Sequence, residues 1–442
     1  AGLTKIFNKD NDVNITVSDA VTASIGKSIV GYTSGVVHFT GGVNDTFANL
    51  VDGEAVSQDM QTIDAEDADV NITISDTINT ASEANVTGLN ALMNATTGTV
   101  TATVSGNIAQ LDDLIATSGS NSTQSLTITV NDAVTVAQGE KVVDATTVAT
   151  VAFNQGVTDT HGNINDGGNK SAKYEKIYNK DNDVKITVSD KVTVAQGAPI
   201  VGFTTGDVVF NGGVEDSLAN LVSNGSTTAN MNTIKNEDAD VNITVSGDIT
   251  GATASNITDL NALMNATDGT VTSTVSGDVY VLDNLQATGT KSTQALTITV
   301  SSGTVTVNKG NLIALSTTGS VDYSAVGITD SHANINSSGS RTTGMNNIYN
   351  KDNDVNISVT NAVTVAIGAS IVGYTTGTVN FNGGVTDTLA NLVSSGSGQI
   401  TANLTTVKTE DSDVNINLSH TISDATANNV GDLNAVMNST TG

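Results

Sequence analysis

Cysteine and tryptophan are absent from this chain of 442 residues, and Pro199 is its sole proline. Without cysteine, a secreted protein must rely on many stacked contacts in place of disulfides. Aromatic residues make up only 3%, which excludes the ring-rich core of an ordinary globular enzyme. Basic residues are scarce, 16 Lys and Arg against 45 Asp and Glu, for a formal net charge of −29. That balance excludes a nucleic-acid partner, because a phosphate backbone demands clustered cations. It favours solubility and recruits divalent cations. No apolar run approaches the roughly 20 residues of a membrane helix, so no membrane span is expected. P-loop, dinucleotide, zinc and Gly-x-Ser-x-Gly signatures are also missing.

What is present is small, β-branched and repetitive. Hydrophobic residues reach 38%, which separates the chain from disordered sequences. Lys5-Ile6-Phe7-Asn8-Lys9-Asp10-Asn11-Asp12-Val13 returns as Lys176-Ile177-Tyr178-Asn179-Lys180-Asp181-Asn182-Asp183-Val184, 171 positions later. It returns again as Asn347-Ile348-Tyr349-Asn350-Lys351-Asp352-Asn353-Asp354-Val355. The expected organisation is one continuous array: residues 1–171, residues 172–342 and a partial third copy over residues 343–442. Gly442 falls just before the strand that Val100 or Val271 begins in earlier copies, so the array is expected to continue.

Each copy contains a finer repeat. Val13-Asn14-Ile15-Thr16-Val17 resembles Val70-Asn71-Ile72-Thr73-Ile74 and Leu126-Thr127-Ile128-Thr129-Val130. Three further strand-like runs, Val36 to Phe39, Val100 to Val104 and Val148 to Phe153, lie between or after these. Six units share one copy, about 28 residues each. Apolar and polar residues alternate along each strand, and polar or Gly turns follow. Helical spacing comes next: Leu111, Leu114 and Ile115 fit one face, as do Phe47 and Leu50, and Leu89, Leu92 and Met93. Asp45, Asp216 and Asp387 stand where they would cap such helices. A Gly-bearing return such as Thr96-Thr97-Gly98 leads to the next strand. The expected fold is mainly β: a parallel β-solenoid of strand, turn, short helix and return. Tandem small β-sandwich domains are the alternative.

Six Asp-x-Asp pairs precede strands: Asp10 and Asp12, Asp67 and Asp69, Asp181 and Asp183, Asp238 and Asp240, Asp352 and Asp354, Asp411 and Asp413. Oxygen ligands at alternate positions suit calcium. No EF-hand loop follows them, however, and the Gly-Gly-x-Gly-x-Asp nonapeptide is missing. The competing reading is a turn whose Asp side chains bond to backbone. Thr158-Asp159-Thr160-His161 and Thr329-Asp330-Ser331-His332 set a hydroxyl beside Asp and His. A catalytic triad needs convergence in space, so these read as helix starts with polar caps. No catalytic residue is expected. Rows of Thr and Asn offer a surface to carbohydrate or to the cell envelope.

Ile257-Thr258-Asp259-Leu260-Asn261-Ala262-Leu263-Met264-Asn265-Ala266-Thr267-Asp268-Gly269-Thr270-Val271-Thr272-Ser273-Thr274-Val275 and Val385-Thr386-Asp387-Thr388-Leu389-Ala390-Asn391-Leu392 resemble runs in giant, calcium-associated, repetitive cell-surface proteins of marine cyanobacteria and other marine bacteria. That group includes surface-motility proteins, large adhesins and surface-layer components. The resemblance extends over essentially the whole chain. It implies secretion, a cell-surface location and a structural role, as a fibre or the rod of a giant surface protein. An adhesin stalk or surface-layer subunit with calcium-supported assembly is the alternative. The expected partner is the protein itself, stacked end to end.

Overall fold

The computed structural model describes residues 2–147, 150–423 and 425–442. The chain divides into two compact units, Ala1–Gly212 and Gly213–Gly442. Both are built from short strands in parallel sheets with helices interspersed. Helix, at 35%, exceeds strand, at 26%. The architecture is therefore a repetitive α/β one, and the expected predominance of β structure is corrected. The reason is local: most strands are only two or three residues long, whereas nearly every return carries a helix.

Within the first unit, six parallel pairings lead from one copy of the repeat to the next. They are Ile15 with Val37, Val43 with Ile72, Ile72 with Val100, Val100 with Gln124, Ile128 with Val151, and Val157 with Ile186. Val148, the expected start of the sixth strand of the repeat, lies outside the described residues; Val151–Phe153 is a strand. In the second unit the same order recurs, with Val214 beside Ile243, Ile243 beside Val271, Val271 beside Gln294, Ile298 beside Val321 and Ile328 beside Ile357.

The alternation read from the sequence sets which side chains turn inward. Ile72, Val100, Ala102, Val104, Leu126, Ile128 and Val130 are all buried, while Thr99, Thr101 and Thr103 between them are not. Leu50, Leu89, Leu92, Met93 and Leu111 close the core from the helices, and Phe47 is half-buried. The expected helical face of Leu111, Leu114 and Ile115 is not formed, because that helix ends at Leu111 and the buried Leu114 and half-buried Ile115 follow it in the return. Ser or Thr precedes many of the helices, and hydroxyls such as those of Thr22, Ser57 and Ser82 accept an otherwise unpaired N–H. At Ser82, Thr135, Thr253 and Thr426 the N3 Asn or Gln also reaches back, completing a capping box.

The steps are not uniform. The step from Ile15 to Val37 holds only the helix Ala23–Val30. The longer step from Val43 to Ile72 holds a four-residue helix, an antiparallel hairpin pairing Val51 with Val56, and the helix Gln58–Asp64. Equivalent hairpins pair Asn165 with Lys170, Val222 with Thr227, Asn336 with Arg341, and Val393 with Ile400. Neighbouring helices pack closely. A Cβ on Gly26 would lie 2.5 Å from Ile63 Cδ1, and one on Gly139 would lie 2.6 Å from Ile177 Cδ1.

Candidate functional site: the aspartate clamps

The first aspartate of four pairs holds the backbone of an earlier strand. Oδ2 of Asp67 accepts the N–H of Phe39 at 2.5 Å, and Oδ2 of Asp181 accepts that of Phe153 at 2.8 Å. Asp352 does the same for Tyr323 at 2.7 Å, and Asp411 for Phe381 at 2.6 Å. In each case the donor is the aromatic residue 28 to 30 positions earlier in the chain. Asp238 is buried at the same place in its copy. Asp10 is exposed, and its carboxylate accepts only the N–H of Asp12 within its own turn. Glu66 and Glu410, beside two of the clamps, take the N–H groups of Val37 and Val379 at 2.9 and 2.8 Å.

Burial pushes the carboxyl of Asp67 up; the Phe39 N–H pulls it back, and the adjacent Asp69 carboxylate raises it again. Asp181 and Asp411 are raised in the same way, with Asp183 and Asp413 as the neighbours. Asp352 is pushed up to about 6, first by burial and then by Asp354. Asp10 is raised mainly by its hydrogen bond with Asp12. The structure thus brings the two carboxylates of these pairs together. Among the described residues, no group of three or more His, Cys, Asp or Glu is placed to hold a metal ion.

The second aspartates meet the chain through their backbones. A Cβ on Gly98 would lie 2.4 Å from the carbonyl oxygen of Asp69, and one on Gly206 would lie 2.1 Å from that of Asp183. Asp12, Asp240, Asp354 and Asp413 face Gly35, Gly269, Gly377 and Gly442 equally closely. Only glycine permits this approach. Two residues before each glycine, a Thr closes the joint. Thr96 Oγ1 donates to the carbonyl of Val70 at 2.7 Å and accepts the N–H of Gly98 at 2.9 Å. Thr204, Thr267 and Thr375 repeat both bonds with Val184, Val241 and Val355 and with Gly206, Gly269 and Gly377.

A second clamp follows the strands. Oδ1 of Asp45 accepts the N–H of Thr46 and the side-chain amide of Asn49, while its Oδ2 accepts the N–H of Ala23. One carboxylate therefore fixes its own helix start and the start of the helix 22 positions earlier. Asp159, Asp330 and Asp387 bridge in the same manner to Val136, Val307 and Val365. Burial works to raise Asp45, but bonds from Asn49, Thr46 and Ala23 hold it below the usual carboxylate range. The signature Asp-Ser/Thr-x-x-Asn recurs in the sequence at Asp45, Asp159, Asp216, Asp330 and Asp387, and also matches at Asp411, which belongs to the first kind of clamp. Only its capping half was expected.

The histidines do not form a repeated site. His161 Nδ1 lies 2.7 Å from Asp190 Oδ2, and its backbone N–H donates to Oδ1 of the same residue. At the equivalent His332, Asn361 replaces the aspartate and accepts only the backbone N–H. Both histidines open four-residue helices, as their sequence context suggests.

No family model matches the sequence, and no curated protein matches it. One solved structure, "Crystal structure of PEPR1-AtPEP1", is similar at 9% identity over 82% of this chain and 47% of that one, with a TM-score of 0.16. The chain spans under half the length of that protein, and a likeness this faint carries no argument about fold or activity.

Proposed function

We propose that this chain is a structural segment of an extracellular, cell-surface protein: a parallel β-solenoid that serves as a fibre or rod and carries no catalysis. One observation carries the reading. The side chains that recur with the 171-residue repeat, such as Asp181 with Asp352 and Thr204 with Thr375, are engaged in holding the backbone of a neighbouring strand. Recurring polar groups of an enzyme would instead converge on a substrate. A stack tied by backbone ladders and, at recurring steps, by carboxylate clamps resists pulling along its axis. The cell-surface location rests on the resemblance noted above and on an acidic, cysteine-free composition.

Negative-stain microscopy of native material tests the proposal. Filaments with an axial repeat on the order of 30 Å, six strand spacings, or a multiple of it, support the rod. Isolated globular particles contradict it. The reading as an adhesin stalk or surface-layer subunit assembled with calcium draws on the carboxylate pairs that raise one another, such as Asp352 and Asp354. Thermal unfolding with and without a chelator separates the two. A midpoint that falls on chelation favours calcium, and an unchanged one favours clamps that act alone.

A further inference from the structure

Arg341, the chain's only arginine, sits in the second strand of the hairpin that pairs Asn336 with Arg341. Its guanidinium lies over Tyr349, 3.5 Å from the ring centroid, with Tyr374 at 5.6 Å. Its Nε donates to the carbonyl of Tyr374 at 2.9 Å, and the Tyr374 hydroxyl donates to Asn336 Oδ1 at 2.5 Å. The group is thus held flat and in place, and among the described residues its two terminal nitrogens form no ion pair with a carboxylate. Beside it lies an open groove of about 510 Å³, lined by Gly339, Ser340, Arg341, Thr343, Asn346 and Tyr374 with no acidic residue among the lining.

The same groove recurs 171 positions earlier with altered charge. There Lys170 lies 3.9 Å from the Tyr178 ring centroid, and Gly168, Asn169, Glu175 and Phe203 line about 460 Å³. Glu175 occupies the place of Asn346, so an acid lines one groove beside its cation and none lines the other.

We propose that the Arg341 groove binds the carboxylate of an acidic polysaccharide, a uronic-acid chain, and that the Lys170 groove, which carries Glu175 in its lining, is a counterpart that does not. A planar guanidinium with two free nitrogens matches a carboxylate bidentately. The Gly, Ser, Thr and Asn rim suits sugar hydroxyls, and the openness of the groove suits a chain that passes through it. At physiological salt, repulsion from distant carboxylates is screened within about 8 Å. The inference is independent of the rod proposal, since a rod without a ligand here is still a rod.

The test is calorimetric titration of the full chain with oligogalacturonate at low and physiological salt. A neutral oligosaccharide of equal length and a sulfated one serve as comparisons. Saturable binding of oligogalacturonate, lost at least tenfold in Arg341→Gln, is expected, with Arg341→Lys intermediate. Asn346→Glu copies the other groove without touching the aromatic packing, and it is expected to weaken binding by a similar factor at an unchanged thermal midpoint. Lys170→Gln is expected to leave affinity unchanged. Stronger binding of the sulfated chain would overturn the carboxylate assignment. Binding by Arg341→Gln or Asn346→Glu as strong as that of the parent, equal binding of the neutral sugar, or no binding at low salt would overturn the site.

Discussion

Oδ2 of Asp352 accepts the backbone N–H of Tyr323 at 2.7 Å, although the carboxyl that does so is pushed up to about 6 by burial and by Asp354. The bond and the charge pull in opposite directions. A carboxyl whose folded-state value lies above its unfolded value stabilises the fold most when protonated. The contribution is fully present below the unfolded value and is lost as pH rises through about 6. Asp352→Asn keeps an oxygen for Tyr323 and removes the buried charge. The variant is expected to match the parent near pH 4 and to exceed it in stability near pH 7, as urea unfolding at the two pH values would show. A parent that gains on the variant as pH rises would refute this account of Asp352.

The two members of a pair are expected to respond differently. Asp67→Ala strands the N–H of Phe39, which is itself buried. The expected loss is about 1–3 kcal/mol in chemical unfolding. Asp69→Ala removes the carboxylate that raises Asp67 and is expected to be neutral or mildly stabilising. A shared calcium ion would make both substitutions harmful, so the pair of measurements also tests metal dependence.

Thr96 and Gly98 form the joint against Asp69 and Val70, just ahead of their strand. Thr96→Val keeps the shape but leaves the carbonyl of Val70 and the N–H of Gly98 without their partner. A loss of about 1–3 kcal/mol is expected. Gly98→Ala places a methyl 2.4 Å from the Asp69 carbonyl oxygen and 2.5 Å from that of Val70. Neither is a side chain that can turn away, so the cost is expected to exceed that of Thr96→Val and to appear as a lower thermal midpoint.

At Asp45, one carboxylate serves two helix starts. Asp45→Asn retains one acceptor oxygen and loses the other. Amide hydrogen exchange is expected to speed up either at Ala23 or at Thr46, whichever N–H the amide no longer satisfies, with the sheet around Ile72 little changed. Uniform acceleration across the first unit would show that the clamp is not local.

These clamps explain which parts of the fold were legible in the sequence. Ile72, Ile74, Leu89, Leu92 and Met93 announce themselves by period, because burial on one face leaves an apolar record. The hairpin pairing Asn165 with Lys170 leaves none: its two-residue strands are polar, and Gly167 and Gly168 are its only mark. The Asp-x-Asp pairs were visible but their partner was not. The N–H of Phe39 lies 28 positions before Asp67 and belongs to the backbone, which every residue type shares. The cation at Arg341 gave no signal either, since its meaning depends on Tyr349 and Tyr374 arriving beside it and on a groove lining without an acid.

The central claim is that each repeat adds a fixed length to a stack. Small-angle X-ray scattering from chains holding two, three and four copies of the 171-residue repeat tests it most directly. The account predicts a constant cross-section and a maximum dimension that grows by about 29 Å for every added copy, six strand spacings of about 4.8 Å. A dimension that grows only as the cube root of chain length would contradict it.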